Sequence, residues 1–272
     1  MRKIISQFIA IAGLALIAFQ SQAAIPTLTS STFTSSGGSD QTSTNVSYPA
    51  SGINSGDLLV CIWVNDGAGD LPTWPTGDWA DNVLYSENNS HGSSVSYIIA
   101  AGTENGGTFN VTHASQATEA FLLHFQNWHG TTPPEVGARA FANSDAWNAT
   151  SITPSGWDSS VDDTLWIGLM TTDQLSRTIS SWPSEIPDNR TSTGGGTIPN
   201  IFYATDDTSG ASKSIALLNG SLSSSLNHRV AILGIRGAAA GGGLTHIRML
   251  NQPSAGEGPH KSQQLGGVLE NE

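Results

Sequence analysis

Cysteine is almost missing from this chain. Cys61 is the only one in 272 residues, so no disulfide can form within the chain and a fold must rest on its apolar core. Cys61 lies inside the apolar run Leu58–Val64 and reads there as a small buried hydrophobe. A reactive thiol needs an accessible, electropositive setting, and no basic residue flanks this one. Charge is scarce too, at 12% of residues against about 25% in an ordinary soluble domain. Positive charge is scarcest: ten basic residues face twenty-two acidic ones, for a net charge of −12. A surface of that sign repels phosphates and anionic lipid and carries no basic stripe, which excludes a nucleic-acid role. The motifs of common catalysts are missing as well. The chain has no Gly-x-Ser-x-Gly elbow, no His-Glu-x-x-His, no Ser-x-x-Lys and no phosphate-cradling glycine loop. The carboxylate pair of a glycosidase would meet only in the fold, so a hydrolase stays as an alternative to a non-enzyme.

What the chain does contain is a grain of short apolar runs separated by Ser, Thr, Gly, Asn and Asp, the pattern of many short strands with turns between them. One such run is written twice. Gly56-Asp57-Leu58-Leu59-Val60-Cys61-Ile62-Trp63-Val64 is answered 106 positions later by Asp162-Asp163-Thr164-Leu165-Trp166-Ile167-Gly168-Leu169-Met170. The flanks repeat with it. Trp74-Pro75 is matched by Trp182-Pro183, Val95–Ile98 by Ile201–Ala204, and the apolar strand Ala120–Phe125 by Val230–Ile235. This predicts an all-β fold, a two-sheet antiparallel β-sandwich of jelly-roll type built from two similar halves of roughly four strands. The halves span about 43–130 and 149–237 of a domain covering 24–237. The unbroken apolar run at Leu58–Val64 implies a strand buried on both faces, or one with a face against the core and the other under a loop, and Phe121, Leu123 and Phe125 are expected to face inward together.

Residues 1–23 read as an export signal. Arg2 and Lys3 give a positive start, Phe8–Phe19 is a twelve-residue apolar run, and Ser21-Gln22-Ala23 offers a small-residue cleavage site. Twelve residues fall short of the about 20 of a membrane span, so no span is expected once the signal is removed. Losing Arg2 and Lys3 would take the net charge from −12 to −14. Residues 238–272 begin with Ala238-Ala239-Ala240-Gly241-Gly242-Gly243 and read as a flexible linker and tail.

A Pro49-Ala50-Ser51-Gly52 turn, Gly56–Val60, a Trp74–Trp79 loop and an aromatic strand running into Ala100-Ala101-Gly102-Thr103-Glu104 follow one another, echoed at Pro154–Trp166 and Trp182-Pro183. This order resembles that of duplicated, jelly-roll-like β-sandwich proteins found among phage tail- and fibre-associated proteins and secreted bacterial surface proteins. The resemblance covers residues 30–237. It implies a non-catalytic surface module and supplies no catalytic residues; an export signal sets this chain apart from the phage members.

The expected role is therefore a secreted, cell-surface or virion-associated structural or adhesion protein acting through loop surfaces, with a protein or surface glycan as partner. A homo-oligomer or larger assembly fits that role. The alternative is a lectin-like carbohydrate-binding module, because Trp74, Trp79 and Trp182 sit in polar Gly/Pro-rich loops where exposed rings would stack on sugars. Rings that fold back to cap the open end of the sandwich are the competing reading. Asp66 and Asp70 are the candidate ligands for calcium, the one cofactor considered, set against the ordinary use of Asp in turns. The remaining expectation is that His124 and His129 serve structure or surface, not metal chelation.

Overall fold

The structure, a computed structural model, describes residues 24–67, 71–77, 79–80, 84–87, 91–136, 140–142, 149–152, 163–172, 188–191, 200–206, 213–215 and 228–238. The expected export signal, the tail beyond 238, Asp70 and Trp182 lie outside them. Among the described residues the fold is all-β, with antiparallel pairing throughout and no helix, hence none long and apolar enough to cross a membrane.

The first seven strands are β1 (Thr27–Ser35), β2 (Gln41–Ser47), β3 (Leu58–Asn65), β4 (Leu84–Glu87), β5 (Gly92–Ile99), β6 (Thr108–Gln116) and β7 (Thr118–Gln126). Five of them form one sheet in the order β1-β7-β3-β5-β4, while β2 and β6 pair as a ribbon. The chain continues through β8 (Glu135–Val136), β9 (Ala140–Ala142), β10 (Ala149–Ile152), β11 (Thr164–Thr172), β12 (Asp188–Thr191), β13 (Asn200–Asp206), β14 (Lys213–Ile215) and β15 (His228–Arg236). Here the sheet runs β12-β13-β11-β15, with β8 and β9 both beside β15, and β10 pairs with β14 as a second ribbon. Both sheets therefore use the same order about their central strand. β3 lies between β5 and β7 with β4 and β1 outermost; β11 lies between β13 and β15 with β12 and the β8/β9 pair outermost. Each sheet with its ribbon has more strands than the four expected of a half. The additional ones are short or rich in hydroxyl side chains, so they carry little apolar signal.

Alternation explains why β3 tolerates an unbroken apolar run. Leu58, Val60, Ile62 and Val64 point to one face, where they share a core with Phe121, Leu123 and Phe125 of β7. That same core takes in Leu165, Ile167 and Leu169 of β11, Ile201 and Tyr203 of β13, and Ala231, Leu233 and Ile235 of β15. Leu59, Cys61 and Trp63 point the other way, into a second core with Val46 of β2, Phe109 and Val111 of β6, and Trp74 and Trp79. The ribbon β2–β6 thus covers the back of the first sheet. Its own strand β6 alternates, with Phe109 and Val111 buried and Thr108, Asn110 and Thr112 exposed, as expected of a layer wet on one side. Each fully buried aliphatic side chain contributes about 1.5–3 kcal/mol.

The facing of the two central strands differs from that implied by the sequence alignment. At a spacing of 106 the acidic turns coincide, which matches Leu59 with Leu165. Yet Leu59 belongs to the ribbon-side core and Leu165 to the core between the sheets. A one-residue shift exchanges the faces of a strand, so β3 and β11 correspond in facing only at an odd spacing, such as Leu58 with Leu165.

Cys61 is fully buried in the ribbon-side core, and burial pushes its thiol well above its ordinary value of 9.0. The thiol is therefore inert in the native chain, and Ellman's reagent is expected to titrate it only after denaturant is added. The sign of the pH effect follows from the raised value. Below pH 9 both folded and unfolded chains keep the proton; above it only the unfolded chain ionises, so stability falls by about 1.4 kcal/mol per pH unit. Urea midpoints of the wild type minus those of Cys61→Ala should be flat below pH 9 and decline above it. A flat difference up to pH 10.5 would contradict this placement of the thiol.

Candidate functional site

The densest set of chemically able side chains lies at the Leu58 end of the first sheet. Asp57 enters β3 directly from the turn Asn54-Ser55-Gly56. Its Oδ2 accepts three hydrogen bonds: from the Asn54 amide at 2.8 Å, from Gln126 Nε2 at 3.1 Å and from His124 Nε2 at 2.7 Å. His124, 1% exposed, reaches the carboxylate because it lies opposite Leu59 in the β3–β7 ladder. Its other nitrogen, Nδ1, stands 2.7 Å from Thr29 Oγ1 and 3.1 Å from Ser30 Oγ. Both hydroxyls reach one ring because the β1–β7 register slips between Leu28 and Ser30. Such a bulge sets two residues against one.

The result is a hydroxyl–imidazole–carboxylate chain. The Asp57 carboxylate accepts from His124 Nε2, and in a neutral ring of that tautomer Nδ1 accepts from Ser30 or Thr29. That is the order of groups that can activate a hydroxyl. Here, however, the Thr29 hydroxyl also donates to the His124 carbonyl at 3.1 Å, and every polar atom named is engaged within the chain. The arrangement fastens edge strand β1 onto β7 and onto the turn before β3.

The turn itself is held by matched backbone and side-chain bonds. The Gly56 amide donates to the Ala100 carbonyl and the Ala100 amide to the Asp57 carbonyl, both at 2.8 Å. Glu104 receives the Ala101 and Gly102 amides on its two oxygens at 2.7 and 2.8 Å. Asn105 exchanges bonds with the Ile53 amide and carbonyl, and Trp128 Nε1 donates to the Gly56 carbonyl at 2.7 Å. Gly102 is needed here. Its φ is +89°, and an added Cβ would lie 2.8 Å from the Ser55 nitrogen. The motif residues Gly52, Gly56, Asp57 and Ala100–Glu104 are thus largely the mechanics of one turn cluster.

The residues singled out from the sequence fall elsewhere. Trp74 and Trp79 are buried, at 4% and 9% exposure, and stack on each other with centroids 5.4 Å apart. Trp79 also lies 4.4 Å from the Phe109 ring. Their loop is tied down by a two-way bridge between Thr73 and Thr112 and by the Ala80 amide on the Tyr97 carbonyl. Both rings therefore fold back over the ribbon-side core, and neither presents a free face to a sugar. Trp182 lies outside the described residues. Asp66 Oδ1 accepts the Ala117 amide at 2.9 Å, and the Asp66 amide donates back to the Ala117 carbonyl at 3.1 Å, so Asp66 acts as a turn lock between β3 and β7. Among the described residues no three His, Cys, Asp or Glu side chains are placed to hold a metal ion; Asp70 is not among them.

The sequence does not point to the link from His124 to Asp57 and Ser30. Its only trace is a polar residue inside the apolar strand β7, facing a hydroxyl-rich strand; the bulge that aligns them has no sequence signature. Comparison with protein-family models, with curated proteins and with solved structures finds no match to this chain.

Proposed function

We propose that this chain is an exported, non-catalytic β-sandwich of two duplicated halves that works as an attachment or assembly module on a cell or virion surface. The duplication reading draws support from the common strand order about β3 and β11 and from the apolar layer the two sheets share. A module of this kind uses its fold as a stiff spacer and presents its partner with turns and strand edges, not with a reacting group. The observation that carries the non-catalytic reading is the closed accounting at Asp57. All three donors around Oδ2 come from the chain itself, and the imidazole beyond it is nearly sealed from water. Polar groups used this way stabilise a turn.

The test pairs two measurements on the exported chain. It should sediment with bacterial envelopes or form a defined oligomer by light scattering. It should also release no nitrophenol from p-nitrophenyl acetate or butyrate above the buffer rate. Turnover that persists on purification and disappears in His124→Ala, with the β signature in circular dichroism unchanged, would overturn the reading and make Ser30 or Thr29 a nucleophile.

A further inference from the structure

We infer that the cleft between β1, β2 and the start of β7 is a binding site for a single ring of a neutral saccharide. The cleft lies at the end of the sheet opposite the Asp57 turn, shares no residue with it, and goes beyond the attachment reading. Its volume is about 260 Å³. Pockets for drug-sized ligands run from about 300 to 1,000 Å³, so this one suits one ring and not an extended ligand.

Every contributing side chain ends in a hydroxyl or a carboxamide, and methyl and methylene groups form most of the lining surface between those polar ends. The floor is rigid. Thr44 and Thr118 are 3% and 1% exposed, with hydroxyl oxygens 2.8 Å apart. Thr44 Oγ1 also accepts the Trp63 indole N–H at 3.1 Å and stands 3.0 Å from His113 Nε2. This anchors the floor to the ribbon-side core. The wall is different. Thr34, Gln41, Ser43 and Asn45 line the cleft and make no side-chain hydrogen bond to another described residue. The β2–β6 register slips between Gln41 and Ser43, and a bulge of this kind re-aims side chains at the edge of a ladder.

Ligand class follows from complementarity. Hydroxyls and carboxamides each donate and accept, as do the hydroxyls of a sugar. An anionic ligand would find no cation in the lining on a chain of net charge −12. A cation would find no carboxylate there. An entirely apolar ligand would strip water from the wall hydroxyls and carboxamides without replacing their hydrogen bonds, whereas a sugar ring offers C–H faces to the methyl groups and hydroxyls to the polar ends.

Saturation-transfer difference NMR on the full chain tests this directly. The probes are methyl glucoside, methyl galactoside, methyl mannoside and N-acetylglucosamine. Glucuronate and glucose 6-phosphate form the charged arm; maltotriose and chitotriose distinguish a free ring from the end of a glycan. We expect transfer to at least one neutral probe, with titrated affinity at least about tenfold weaker for the charged sugars and in the Gln41→Ala/Asn45→Ala double variant. Both substituted residues are exposed, and Ser43→Ala provides a second variant should the double one lose its fold. No transfer to any neutral probe, equal binding of charged sugars, or binding unchanged in both variants would overturn the inference.

Discussion

Trp63→Ala is expected to remove about 3–5 kcal/mol of unfolding free energy, a fall in Tm on the order of 10 °C for a domain of this size. Trp63 is fully buried and heads the largest side chains in the interior. It fills the layer between β3 and the ribbon, 5.3 Å from the His113 ring by centroids. Its indole N–H also has a fixed acceptor, Thr44 Oγ1. Alanine would therefore leave a cavity and free an acceptor that also serves Thr118. Trp63→Phe separates the two effects: it keeps most of the ring and removes the donor, so the loss should shrink to about 1–2 kcal/mol. Urea unfolding followed by far-UV circular dichroism reads both. A loss below about 1 kcal/mol for the alanine variant would mean that the ribbon does not close over the sheet as described.

Asp57→Ala ranks second, at about 3 kcal/mol, because removing one member of a buried polar pair leaves the other desolvated and unpaired. The carboxylate holds His124 Nε2, Gln126 and the Asn54 amide together, and His124 in turn holds the Thr29 and Ser30 hydroxyls. The consequence should therefore spread to an edge strand that does not touch Asp57. Amide exchange in β1 is expected to accelerate more than exchange in β5, although β5 lies directly beside β3. Asp57→Asn retains an acceptor and should cost less than half as much. Exchange in β1 that stays at the wild-type rate in Asp57→Ala would show that the imidazole link carries no load.

What the sequence reveals follows the apolar signal closely. The continuous run at Leu58–Val64 announces burial on two faces, and β3 is covered by the opposing sheet on one side and by the ribbon on the other. The alternation of Phe121, Leu123 and Phe125 gives the facing of β7 correctly. Where apolar residues thin out, the reading weakens for a physical reason. β1 and β2 are runs of Thr and Ser whose strand character comes from pairing with β7 and β6, a tertiary effect that composition does not carry. The two loop tryptophans illustrate the limit: polar neighbours suggest exposure, yet Thr73 and Ala80 pin the loop so that the rings turn inward. The site chain fails to show for a third reason. Asp57 and His124 are 67 positions apart; only the register of β3 on β7 brings them together, and the bulge in β1 sets the Thr29 and Ser30 hydroxyls on His124.

The central claim is that the two sheets meet across one apolar layer, and Phe121 and Tyr203 offer the sharpest test of it. Phe121 comes from β7 of the first sheet and Tyr203 from β13 of the second. Their rings sit edge to face, with centroids 5.2 Å apart and planes at 73°. A double-mutant cycle with Phe121→Leu and Tyr203→Leu should return a coupling of about 0.5–1.5 kcal/mol, within a single cooperative unfolding transition. Strictly additive losses, or two separate transitions, would place these rings in different cores and contradict the account.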